Sequence, residues 1–131
     1  MKKRFVYLVL AVFVFCVGFG CSKSLEPVNE THVGGMKLDT KTEVFSKLNT
    51  PVVKNALVQV PGKQESIIVN IFPADENGNI GAGAKPEIIM GSNTDHFKLD
   101  QTMSKKDLAR GTYLMNIVYA GQTERVVFSV K

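Results

Sequence analysis

The chain has 131 residues, 44% of them apolar and 21% charged, with sixteen Lys and Arg against twelve Asp and Glu. That length supports one domain with a hydrophobic core and little more than a tether beside it. Three of the basic residues, Lys2, Lys3 and Arg4, stand at the very start; the remaining thirteen nearly balance the acids, and no basic stripe with interleaved aromatics is left, which excludes a nucleic-acid footprint.

The first element is a basic head followed by an apolar run from Phe5 to Phe19 and then Gly20 and Cys21. A span across the hydrocarbon core needs about 20 apolar residues, so the run reads as a secretory leader over 1–20 that is removed. Gly18 and Gly20 supply the small residues of a cleavage site. Once Cys16 leaves with the leader, Cys21 has no partner for an intramolecular disulfide. Gly20-Cys21 resembles the end of a bacterial lipoprotein signal, with Gly18 and Phe19 where such signals commonly carry Leu and a small residue. The resemblance implies that Cys21 is the lipid-attachment site, acylated (palmitate-type chains) and inserted in membrane lipid. Ser22 after it implies outer-membrane sorting in a Gram-negative envelope.

Residues 21–35 are then expected to be a lipidated N-terminus and flexible tether, polar and without sustained period, and 36–131 the folded domain. From there the period is two. Ala56–Val60 sets Leu57 against Val58 and Val60; Pro61-Gly62 is a turn signal; Ser66–Phe72 places Ile67, Val69 and Ile71 on one face. Asn77-Gly78 suits a tight hairpin turn. Short strands are expected at Glu87–Met90 and His96–Leu99, and one helical turn at Ser104–Leu108. Thr112–Ala120 aligns Tyr113, Met115, Ile117 and Tyr119, and Thr123–Val130 aligns Val126, Phe128 and Val130, which makes a hairpin around Gly121.

The class is all-β, and about seven short strands at this spacing suggest a two-sheet sandwich. Leu108, Gly111 and Tyr113 resemble the tyrosine corner of immunoglobulin-like domains, which implies a structural role for Tyr113, its hydroxyl bonding upstream backbone. The same residues with Gly121 also look like the ending of the C-terminal sorting domains of secreted Bacteroidetes proteins; that likeness supports the fold.

No catalytic constellation is visible. There is no Gly-x-Ser-x-Gly elbow, and the paired acids Asp75-Glu76 lie beside a turn. Asp75–Ile80 has Ile where a calcium loop needs Gly, and Pro86 where it needs an acid. Copper is the alternative with a ligand set: Met36, Met90, Met103 and Met115 accompany His32 and His96, and thioethers with imidazole select Cu(I). His32-Val-Gly-Gly-Met36 and His96 to Met103 are its candidate clusters. No resident cofactor or metal is otherwise expected. The chain is therefore expected to be a non-catalytic envelope lipoprotein, an interaction or structural module with an envelope protein as partner, its last strand offering an edge. A small envelope inhibitor is a further alternative.

Overall fold

The computed structural model describes residues 25–131; the expected leader, Cys21 and the start of the expected tether lie outside them. Among the described residues there is no helix, and none long and apolar enough to cross a membrane. The strands are β1 (His32–Val33), β2 (Met36–Lys37), β3 (Thr40–Lys41), β4 (Ser46–Lys47), β5 (Leu57–Pro73), β6 (Glu87–Lys98), β7 (Gly111–Tyr119) and β8 (Gln122–Val130). The expected all-β class is what forms. A turn at Met103-Ser104 followed by irregular chain through Leu108 replaces the expected helical turn.

All eight strands belong to one mixed sheet, in the order β2-β1-β5-β7-β8-β4-β3, with β6 added to β5. The sheet curls into a half-barrel. Two separate sheets do not occur because β5 is a single 17-residue strand where two strands parted by a turn at Pro61-Gly62 are expected. Gly62, at φ +78°, supplies a bulge between Gln59 and Gln64, and such a bulge bends and twists the strand without ending it. The N-terminal half of β5 pairs with β1 and the C-terminal half with β7, while β6 follows both halves. β6 is correspondingly one strand where two short ones are expected.

The period-two pattern fills the inside of the curl. Val58, Val60, Ile67, Val69 and Ile71 from β5 meet Tyr113, Met115, Ile117 and Tyr119 from β7 and Val126, Phe128 and Val130 from β8 in one buried cluster. β7 and β8 are joined at Ala120-Gly121, with φ of +50° and +72°, the pair of positive angles that matches the twist of a two-residue hairpin. Tyr113 stacks on Phe128 with ring centroids 5.8 Å apart, and its hydroxyl donates to the Ala109 carbonyl at 2.5 Å, as the tyrosine-corner likeness implies.

Two expectations about edges and boundaries change. Thr31, His32 and Val33, expected in the tether, join the domain: Val33 is fully buried, and Thr31, only 2% exposed, donates to the Glu124 carboxylate at 2.5 Å. That bond ties the entering chain to the start of β8. The last strand is not an edge. β4 pairs with it in parallel, Ser46 with Val126 and Lys47 with Val127, and main-chain bonds from Leu48 and Val52 extend the cover to Ser129. The long strand paired on one side only is β6.

Candidate functional site

The chemistry-bearing residues that the fold gathers lie on the outer face of β1, β5 and β6. Residues directly opposed in an antiparallel pair share a face, and the register sets His32 opposite Gln59 and Gln59 opposite His96. Lys37 continues the row beyond His32. The neighbouring row, Met36, Val33, Val58 and Phe97, points to the core side. Three of its members are buried, and Met36 packs against them.

Each histidine is held through Nδ1. His32 Nδ1 lies 2.7 Å from the Glu30 carbonyl; His96 Nδ1 lies 2.8 Å from Asp95 Oδ1, with Thr94 Oγ1 at 3.5 Å. Between them, the Gln59 side-chain amide donates to the Glu26 carbonyl at 3.3 Å, so the entering chain runs beside this row. His96 also lines a shallow concavity of about 470 Å³ with Met90, Ser92, Thr94 and Gln101.

The sulfur ligands weighed for copper are dispersed. Met115 is fully buried on β7, and Met36 faces the core, away from His32. Met90 and Met103 are 62% and 64% exposed. Met103 follows β6 with its N–H bonded to the Ile88 carbonyl. Among the described residues no group of three or more His, Cys, Asp or Glu side chains is placed to hold a metal ion.

The rest of the outer face divides in two. Near the C-terminal end of β5, Phe72, Leu114 and Val127 form a row in which Leu114 and Val127 are buried. Phe45 and the 74–80 turn lie close by, for a Cβ at Gly78 would stand 3.3 Å from the Phe45 ring and 3.5 Å from Val127. The Thr42 hydroxyl accepts from the Phe45 N–H at 3.0 Å and sets that loop. Asp75 anchors the turn by accepting from the main-chain N–H of Asn77 and Asn79, each at 2.9 Å, and from the Asn79 amide at 3.0 Å. Those Asn79 bonds, assisted by Asn77, lower the Asp75 pKa. Toward the middle of β5 the cover stops, and Met90, Ile68 and Val118 make an apolar row in which Ile68 is still 39% exposed.

Tyrosine hydroxyls near the core are shifted up by burial. For Tyr113 the charge of Glu87 adds to the effect, and for Tyr119 that of Glu124 does. Both tyrosines therefore stay neutral hydrogen-bonding groups through the physiological range. The sequence pattern identified Tyr113; the Thr31, Glu124 and Tyr119 cluster carries no local motif and follows only from the fold. Comparison of the chain with family models, curated proteins and solved structures returned no match.

Proposed function

We propose that this chain is a non-catalytic envelope lipoprotein, anchored in membrane lipid through acylated Cys21, whose β domain serves as an interaction or structural module of a larger envelope assembly. The observation that carries the reading is the leader ending at Gly20-Cys21. Thr31, buried and bonded to Glu124, stands ten residues after Cys21 in the sequence, which in this reading leaves a short segment between anchor and domain. In this reading the domain is a curled variant of the immunoglobulin-like sandwich, supported by the Tyr113 to Ala109 bond and by the closing β7–β8 hairpin.

The partner this reading calls for is an extended segment of another envelope protein laid along β6. An unpaired strand edge recognises main chain, and side chains on one face of it add specificity. On that edge strand Met90 is exposed, with Ile68 behind it on β5, and the two would receive an apolar side chain of the incoming strand. Asn93, at φ +50° on β6, interrupts the regular edge and limits self-association, as bulged edges do.

Two measurements test the proposal. Intact mass of the membrane-extracted protein should show a processed, acylated Cys21; an unmodified cysteine or recovery in the soluble fraction overturns the anchor. A photo-crosslinking residue at Met90 should capture a defined envelope protein, and capture of background alone overturns the interaction role.

A further inference from the structure

We propose that His32 and His96 together bind a divalent transition-metal ion of the zinc type on the outer face of the sheet. This goes beyond the interaction reading and does not rest on it. These are the only two histidines in the chain, and the fold brings them from strands far apart in sequence to one row, on either side of Gln59.

Adjacent strands stand about 4.8 Å apart, so the two Cα atoms are roughly 10 Å apart. Two imidazoles turned toward Gln59, whose side-chain amide is bonded to the Glu26 carbonyl, would bridge such a gap to a shared ion, each bonding it at about 2.0–2.1 Å. β1 and β6 are both antiparallel to β5 and therefore run in the same direction. Each histidine has an Nδ1 partner earlier in the chain, the Glu30 carbonyl for His32 and the Asp95 carboxylate for His96.

Those partners also fix the protons. A main-chain carbonyl and an ionised carboxylate only accept, so in each ring Nδ1 carries the hydrogen and the lone pair of the neutral imidazole is on Nε2. A carbonyl or carboxylate behind the far nitrogen is the arrangement that orients metal-bound histidines and raises their basicity. Two solvent-accessible rings with independent Nδ1 partners of this kind share one face of the sheet.

The ligand count defines the sort of site. Because no third His, Cys, Asp or Glu joins them among the described residues, water completes the coordination, and the ion is held openly rather than in a closed four-ligand cage. Met36 and Met115 are turned into the core, and the two imidazoles with water supply nitrogen and oxygen donors. Such a set suits zinc, nickel(II) or copper(II) over Cu(I).

The test is a titration of Zn²⁺ into the full chain in detergent, with Cys16→Ser and Cys21→Ser so that thiols do not compete, read by calorimetry and by imidazole NMR signals. The expected result is one ion per chain, with signals of both histidines moving together. His32→Ala and His96→Ala should each weaken binding by about tenfold or more, and Asp95→Ala by about tenfold through loss of the Nδ1 partner. Gln59→His, which adds an imidazole in the same row, should tighten it. Absence of binding at millimolar Zn²⁺ overturns the proposal. So does a shift confined to one histidine, unchanged affinity in either alanine variant, or a Gln59→His chain that binds no more tightly.

Discussion

The two halves of β5 are built on different terms. Its C-terminal half lies between β6 and β7, with Ile67, Val69 and Ile71 buried inside and, at its far end, the outer face covered by Phe45 and the 74–80 turn. Its N-terminal half lies between β6 and the two-residue β1, buries Val58 and Val60 on one face and presents a row of polar side chains on the other. One half holds the fold by apolar area on paired strands; the other is fastened by few hydrogen bonds, and its outer face carries the entering chain at Glu26. The bulge at Gly62 lets one strand do both. The candidate metal ligands flank the second half, beside the entering chain.

The largest expected effect lies on the first side of that comparison. Ile117→Ala removes a fully buried side chain opposite Val69 and should cost about 2–5 kcal/mol of stability in urea unfolding, a range set by how far the cavity collapses. The loss should be global, with β5, β7 and β8 amides losing protection together in hydrogen exchange. Thr31→Val tests the other side. It deletes the bond to Glu124, a charge-assisted contact worth about 1.5–3 kcal/mol, and its exchange signature should be confined to β1 and its neighbours. If β7 amides respond as strongly as those of β1, the two halves are one cooperative unit and the contrast fails.

Tyr113→Phe comes next. It keeps the ring against Phe128 and removes only the hydroxyl that bonds Ala109, so about 1 kcal/mol should be lost, seen as a modest fall in Tm. A Phe variant as stable as the parent would show that the corner positions the ring and that the hydrogen bond contributes nothing.

The same contrast explains what was legible in the sequence. Period two identified the buried faces of β5, β7 and β8 because each covers several residues on strands buried along one face. Leu108, Gly111 and Tyr113 pointed to the Tyr113–Ala109 bond because the residues concerned are close in sequence. Pro61-Gly62 misled because a turn and a bulge ask the same backbone freedom of a glycine, and only the pairing of β6 with both halves tells them apart. β1 to β4 have two residues each, too few to show any period. The loss of the free edge at β8 follows from a parallel pairing with β4 that no local signal encodes. His32 and His96 could be named as candidate ligands, but their place in one row depends on register across three strands, while the thioethers grouped with them by spacing went partly to the core.

The smallest expected effect concerns the Asp75 turn, beside the outer cover of the first half. Its carboxylate accepts from Asn79 and Asn77, and these bonds hold its folded-state pKa below the ordinary value. A depressed carboxylate contributes stability that is present above its unfolded pKa, about 3.9, and that is lost as pH falls through the lower folded value. The group is fully exposed, so solvent screens the effect and the shift in Tm should be slight. Asp75→Asn should therefore melt below the parent at neutral pH, and the gap should narrow as the solution is acidified past the carboxylate range. A gap that stays constant with pH would mean that Asp75 acts through the shape of the turn and not through its charge. If the gap does narrow, exchange at Phe45, Leu114 and Val127 should follow it, while β1 stays as protected as before, because the turn borders the covered half of the outer face and has no bond to the row between His32 and His96.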